Sequence, residues 1–235
     1  MKHIVSCSFG KDSLAMLLKM LELNMQIDEV VYFNIGVEFE PIINNAKKMK
    51  GILETKGIKY TELKPKMSYM WNMLDRKVNK RDGTIQNGYG WCGGVCRWGT
   101  TLKTRAIKEN NKKYTEEITE YIGIAYDEPK RIKKISNIKY PLVDWKMTEK
   151  DCLEYCYSKG WNWQQDGIEL YNILDRVSCW CCTNKNLKEL KNIYRYLPKV
   201  WEDLERLQNI IKRPFRHNKT IFEIKQKIKE AQGEK

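Results

Sequence analysis

No apolar run in this 235-residue chain is long enough to cross a bilayer. The opening residues, Met1-Lys2-His3-Ile4-Val5-Ser6-Cys7, also lack the apolar stretch of roughly 7–15 residues that marks a secretory signal. A cytoplasmic protein that makes no use of a membrane is expected. Histidine is nearly missing as well. His3 and His217 are the only two and neither sits in a motif, which removes histidine-based triads and acid–base pairs from consideration. No tract is biased enough to predict a long disordered span, and no internal repeat is visible.

What remains is ordinary globular composition with a basic excess. Hydrophobic residues make up 42% and charged residues 31%, enough for a core that needs no staple. Formal charge is +13, from 43 basic and 30 acidic residues, which draws an anionic partner such as a nucleotide or a nucleic acid toward the surface. A lysine-rich solvated surface accounts for the same excess equally well, because acids are mixed among the bases. Two places are denser: Arg76, Lys77, Lys80, Arg81 and Lys130, Arg131, Lys133, Lys134.

The pattern of apolar residues predicts an α/β fold. Residues 3–7 read as a strand, and Leu14, Leu17, Leu18 and Leu21 follow at helical spacing after a tight loop. Val30-Val31-Tyr32-Phe33 reads as a second strand, which makes a βαβ unit with parallel strands. Pro41 opens a helix that Gly57 stops, and residues 58–63 alternate as a third strand. Between Pro65 and about Gly94 the periodicity fades into a long loop or small insertion. Residues 119–125 read as another buried strand, with Asp127-Glu128-Pro129 at the carboxyl end where ligands bind in open sheets. Thr148 caps a helix that runs to Gly160, and from about Asn184 the chain is mostly helical. The expected architecture is a doubly wound, mostly parallel sheet in residues 1–183, with a cysteine-containing insertion at about 65–105. Residues 184–235 form a helical C-terminal extension packed on it.

The strand-to-helix turn Ser8-Phe9-Gly10-Lys11-Asp12-Ser13 carries the sharpest chemical signal. A helix that begins directly after a strand aims backbone N–H groups and the positive end of its dipole at one spot, where anions bind. Gly10 lets the main chain approach phosphate, Lys11 adds charge, Ser8 and Ser13 add hydroxyls, and Asp12 is placed to hold magnesium or cap the helix. It is not a Walker A loop, because position 5 is Val5 rather than glycine.

Cysteine supplies the second signal. Cys92-Gly93-Gly94-Val95-Cys96 and Cys179-Trp180-Cys181-Cys182 form two close-spaced thiol groups, and Cys92, Cys96, Cys179 and Cys182 are the candidate metal ligands. Such spacings suit tetrahedral zinc or a [4Fe-4S] cluster, and both stay open here. Cys7, Cys152 and Cys156 fall on strand and helix positions that read as core, and Cys181 is left as a fifth thiol. Trp91, Trp98 and Trp180 stand beside the cysteines and are expected to pack around them.

The loop resembles the Ser-Gly-Gly-Lys-Asp-Ser signature of the PP-loop ATP pyrophosphatases, and especially of their phosphoadenosine phosphosulfate (PAPS) reductase branch, with Phe9 in place of one glycine. Five further segments are similar to that family in the same order. These are Asn34-Ile35-Gly36-Val37-Glu38-Phe39, the Arg97-Trp98-Gly99-Thr100-Thr101-Leu102-Lys103 stretch, Gly123 through Arg131, Tyr140-Pro141-Leu142-Val143-Asp144-Trp145 as a Pro-Leu-X-Asp-Trp strand, and Arg176-Val177-Ser178-Cys179 with Cys182. Gly99 stands where the family carries a cysteine.

The resemblance implies an adenine nucleotide alpha hydrolase-like, Rossmann-like fold. It also implies nucleotide contacts from Ser6, Ser8, Phe9, Gly10, Lys11, Asp12, Ser13 and Gly123, and catalytic roles for Lys11, Lys103, Arg131 and Glu38. Cofactors implied are ATP or PAPS, Mg2+, and a [4Fe-4S] cluster or Zn2+ on the cysteines. The leading expectation is cleavage of ATP at the α-phosphate with adenylation of an acceptor for sulfur transfer, the acceptor being tRNA or DNA and the sulfur coming from a donor protein. One alternative is a sulfonucleotide reductase that releases sulfite, although residues 214–235 lack the cysteine such reductases carry near their end. The other is a non-catalytic nucleic-acid-binding module with structural zinc.

Overall fold

The computed structural model describes residues 1–216 and 218–231, so His217 lies outside the described residues. Five strands form one all-parallel sheet: β1 (Lys2–Ser6), β2 (Glu29–Phe33), β3 (Lys59–Leu63), β6 (Ile118–Ile122) and β7 (Ile138–Lys139), in the order β3-β2-β1-β6-β7. Helix α1 (Lys11–Glu22) connects β1 to β2, and α2 (Glu40–Thr55) connects β2 to β3. The chain then recrosses to the other side of β1, so strand order reverses between β1 and β6, and a crevice opens at the carboxyl ends of those two strands. Side chains alternate across the sheet. Val5, Val30 and Tyr32 join the main core with α1 and α2, while Ile4 and Val31 meet Ile107 of α4 (Leu102–Asn111) on the opposite face. Helix α6 (Glu149–Ser158) packs on α1 and starts with the expected cap, Thr148 and Asp151 forming a reciprocal capping box.

The expected doubly wound α/β architecture is present, with two local differences. Pro141 to Asp144 are not strand but a short helix, α5 (Pro141–Asp144), and β7 ends two residues earlier. Proline at the first helical position has its torsion already set for a helix and no N–H to give a ladder. Helix α4 was not legible because only Ile107 of its ten residues is buried, which leaves almost no apolar stripe.

The segment between β3 and α4 is ordered in pieces. Helix α3 (Tyr69–Leu74) is capped by Ser68, and β4 (Lys77–Asn79) pairs antiparallel with β5 (Ile85–Asn87). A cysteine-bearing loop and a π-helical turn, Arg97–Thr101, follow. After α6 come the small hairpin of β8 (Gln164–Gln165) and β9 (Ile168–Glu169) and the short helix α7 (Leu170–Ile173). Three helices complete the fold, α8 (Leu187–Tyr196), α9 (Pro198–Ile210) and α10 (Ile221–Glu230), and their buried residues Leu190, Ile193, Trp201, Leu204, Ile221 and Ile224 belong to the main core.

One buried charge stabilises the far end of the sheet. Glu29 in β2 is fully buried, and it accepts hydrogen bonds from Thr61, from Lys113 Nζ at 2.6 Å and from Tyr114 Oη at 2.8 Å. Burial alone would raise its pKa, but the bonds from Lys113, Thr61 and Tyr114 outweigh that and hold it below the ordinary carboxylate range. Glu29→Ala is therefore expected to destabilise the protein by about 3 kcal/mol at neutral pH. A depressed folded pKa contributes fully above the unfolded value of roughly 4.3 and is lost as pH falls through the folded value, so the gap between variant and wild type narrows in acid. Urea unfolding at neutral and acid pH measures both effects.

Candidate functional site

The loop after β1 is built around two serines. Ser8 donates its backbone N–H to Ser13 Oγ at 3.1 Å, the two hydroxyls stand 3.0 Å apart, and Ser13 Oγ donates to Gly10 O at 3.2 Å. Phe9 adopts φ +59°, the left-handed region that suits glycine. That geometry costs a bulky residue about 1–2 kcal/mol. Its ring is buried edge-on against Tyr32 with centroids 5.1 Å apart, and its carbonyl accepts the Trp163 indole N–H at 2.8 Å. These contacts offset the strain where the related signature has glycine. The backbone N–H groups of Gly10, Asp12 and Ser13 donate to no described residue, whereas that of Lys11 donates to the Tyr171 hydroxyl at 2.9 Å. Gly123, at the end of β6, lies against this turn. A Cβ there would fall 2.7 Å from Ser13 Cα and 2.9 Å from Ser13 N, so only glycine lets the two strand ends close up.

Lys11 and Arg131 belong to a charge cluster beside the loop. Lys11 is buried with its ammonium 3.1 Å from Asp12 Oδ1 and 3.0 Å from Glu149 Oε1, and Arg131 pairs with Glu128. Burial opposes the charge on Lys11, and the Asp12 and Glu149 carboxylates more than compensate, holding it above its ordinary value. Asp12, Glu128 and Glu149 each bring an oxygen within 4.8 Å of the others. Asp127 Oδ1 accepts the Glu149 N–H at 3.0 Å, which ties the loop after β6 to the start of α6. Ser6 is turned elsewhere, donating to Glu120 Oε1 at 2.7 Å.

A cavity of about 510 Å³ opens beside Ser8, and Glu38, Lys103, Cys92, Cys96, Cys179 and Cys182 all line it. The sequence-predicted residues thus fall into two neighbouring groups, the cavity wall and the Lys11 cluster. Glu38 is held by its own turn: its carboxylate accepts from the backbone of Ile35 at 3.0 Å, Gly36 at 3.0 Å and Val37 at 3.2 Å, while burial pushes its pKa up. Three cations line the cavity, Lys103, Arg176 and Lys185, and no side chain among them has a hydrogen bond or ion pair with a described residue. Desolvation draws Lys103 and Lys185 below the ordinary lysine value, and Lys185 lies over the Phe39 ring at 5.1 Å. Glu38 and Glu189 line the same cavity and act on Lys103 and Lys185 through space, so the three cations form a partly balanced wall that suits an anionic ligand.

Sequence reasoning missed several of these groups. Lys185 had one signal, its position three residues after Cys182. Tyr171, which hydrogen-bonds the loop, had none. Tyr32 was read only as strand, yet it lines the cavity with a buried hydroxyl that has no partner among the described residues. The basic run at 76–81 lies on β4 and the turn of the β4–β5 hairpin rather than on this cavity.

The two cysteine groups, remote in sequence, are hydrogen-bonded to each other. Thr183 Oγ1 donates to Cys92 O at 2.8 Å, Asn184 Nδ2 to Gly94 O at 2.8 Å, and Gly94 N to Asn184 Oδ1 at 3.2 Å. Backbone bonds Phe39 N to Ser178 O at 3.1 Å and Trp180 N to Val37 O at 3.0 Å fasten Cys179 to the turn after β2. Cys96 Sγ accepts the Gly99 N–H at 3.2 Å and stands 3.4 Å from where a Cβ at position 99 would be, so its sulfur lies against the position where the related signature has cysteine. The Cys92 thiol, with the Gly99 and Trp98 amides, pulls Cys96 below the ordinary thiol value, while the same contact pushes Cys92 above it, so one thiol of the pair gives up its proton before the other. Four such donors on one wall fit a metal or cluster. No three thiols among the described residues stand within 4.8 Å of one another, wider than the roughly 3.8 Å between sulfurs that Zn–S bonds of about 2.3 Å impose. Cys7, Cys152, Cys156 and Cys181 are buried.

An uncharacterized protein of Methanocaldococcus jannaschii is 27% identical across 86% of this chain, which spans only 40% of that relative's length. The U34-tRNA thiolase NcsA from Methanococcus maripaludis, solved with its [4Fe-4S] cluster, superposes with a TM-score of 0.47 at 15% identity, covering 98% of this chain and 71% of that one. The phosphoadenosine phosphosulfate reductase domain model matches residues 2–185, from β1 through both cysteine groups. The chain therefore belongs to the phosphoadenosine phosphosulfate reductase domain family.

Proposed function

We propose that the protein binds ATP with its phosphates at the loop of residues 8–13 and transfers the adenylyl group to an acceptor, activating it for sulfur delivery. In that reaction an acceptor oxygen attacks the α-phosphorus, the bond to the bridging oxygen breaks, pyrophosphate leaves, and the acceptor proton passes to solvent. The unpaired amides of Gly10, Asp12 and Ser13 and the Ser8 hydroxyl are the groups that would hold phosphate, Asp12 would meet the accompanying magnesium, and Lys103 would stabilise charge developing at the reacting phosphorus. Cys92, Cys96, Cys179 and Cys182 would hold a [4Fe-4S] cluster, the wide thiol spacing favouring it over zinc. When bound, such a cluster supplies thiophilic iron and one-electron chemistry at the cavity wall.

The observation that carries this reading is the cavity that opens beside Ser8, at the edge of the phosphate loop, and is lined by Lys103 and four thiols. Incubation with ATP and magnesium plus acceptor should release pyrophosphate. Sulfite release from a sulfonucleotide, with no pyrophosphate from ATP, would assign the chain to reduction instead.

Tyr32 offers an independent check. Its hydroxyl is buried without a partner, a condition that costs about 1–3 kcal/mol until a ligand atom satisfies it. Tyr32→Phe keeps the ring and should leave the melting temperature level or higher while weakening ATP binding about 5–10-fold. A lower melting temperature with unchanged affinity would make the hydroxyl structural.

A further inference from the structure

A second pocket, of about 320 Å³, lies between the cysteine loop and the segment joining α9 to α10. We infer that it is a ligand site of its own, one that takes a phosphodiester of a single-stranded nucleic acid. Among the described residues that line it, the charged side chains are two arginines, Arg213 and Arg216, and none is a carboxylate. Arg213 is exposed and its side chain has neither a hydrogen bond nor an ion pair with a described residue. Arg216 is half-buried and anchored to the Lys185 carbonyl, which fixes its planar fork at the wall. Paired guanidinium groups match the geometry of phosphate oxygens.

An independent observation comes from Trp91. It lines the same pocket, is only 2% exposed, and packs edge-on against Phe215 with centroids 4.8 Å apart, yet its indole N–H has no acceptor among the described residues. Buried donors are almost always satisfied, so an acceptor-bearing ligand is the natural partner for this one. Gly93 and Gly94 present bare backbone on the same wall.

The position of the pocket suggests what the phosphate belongs to. Asn184 lines both this pocket and the cysteine cavity, and its side chain is bonded in both directions to Gly94, so the two sites share one wall. A strand anchored by one phosphate here would lay its adjoining nucleotide at the mouth of the cavity that holds Lys103 and the thiols. The net charge of +13 draws a polyanion toward the protein as a whole. The identity of the strand as acceptor rests on the adenylating function proposed above, whereas its binding does not.

The test uses the full chain with its iron restored and fluorescence anisotropy of labelled single strands of about 12 nucleotides, RNA and DNA, at two salt concentrations. Arg213→Ala should weaken strand binding about 5–10-fold and Arg213→Glu further, each lowering the slope of log affinity against log salt by about 0.7, while ATP affinity measured by calorimetry stays level. Millimolar inorganic phosphate should not displace the strand. Unchanged strand affinity in both arginine variants overturns the inference, as does flat anisotropy in a protein that binds ATP, the outcome if the pocket serves an acidic protein. Displacement by millimolar phosphate overturns it too, by making this a site for the free ion. Failure of the wild type to bind ATP would count against the adenylating function alone.

Discussion

Lys103→Met is expected to lower pyrophosphate release from ATP by about 10²–10³-fold without lowering the melting temperature. Both halves follow from one observation. The ammonium is desolvated, it lines the cavity, and no described carboxylate forms an ion pair with it, Glu38 and Glu120 acting only through space, so the folded protein carries a cost that an anionic ligand relieves. Methionine keeps the length of the stem and removes the charge. If Lys103 merely packed, activity would follow stability. If it stabilises the transition state, kcat falls while the fold is level or firmer, and Lys103→Arg restores only part of the rate because the planar fork does not reproduce a point charge. Steady-state kinetics beside a thermal melt separates these cases. A variant that kept its kcat would remove Lys103 from the chemistry.

The second large effect is expected at the cysteines. Anaerobically purified protein should contain iron, about four per chain, with broad absorbance near about 400 nm, and Cys179→Ser or Cys182→Ser should lose most of both. Cys96→Ser should behave the same way, because Cys96 lines the same cavity as Cys179 and Cys182. Cys156→Ser is the control, since that thiol is buried in α6 and bonds only to Lys11 O at 3.5 Å. Loss of the metal should also loosen the hydrogen-bonded junction between the 92–96 and 179–184 segments, visible as faster amide exchange at Gly94 and Cys182. Protein that arrives with one zinc and no iron would show that the thiols can close to a tetrahedron, and would reverse the assignment of the metal.

The parts of this molecule legible in its sequence are those whose signal is local. Val30 to Phe33 and the leucines at 14, 17, 18 and 21 declare a βαβ unit by period alone, and Thr148 with Asp151 declares a helix start. The site is less legible because its chemistry depends on distant chain segments. Lys185 looks like any of 43 basic residues until burial over Phe39 distinguishes it. Glu29 reads as an acid at a strand boundary, yet Thr61 of β3 and Lys113 and Tyr114 of the turn after α4 arrive to receive it. Phe9 breaks a glycine signature and still adopts the glycine torsion, because Tyr32 and Trp163 are there to compensate. Lys11 is the opposite case. Its motif places it on phosphate, whereas its ammonium is engaged by Asp12 and Glu149, carboxylates that a bound nucleotide and its magnesium would have to draw away.

The central claim is that the turn after β1, pressed against Gly123, cradles the phosphates of an adenine nucleotide. Calorimetric titration of ATP into wild type and into Gly123→Ala tests it most directly, because the added methyl must push the Ser13 backbone aside without touching the cavity or the cysteines. The account predicts saturable one-site heat in wild type and affinity at least about tenfold weaker in a folded variant, a difference of about 1.4 kcal/mol. No heat in wild type, or equal affinity in both proteins, would contradict it.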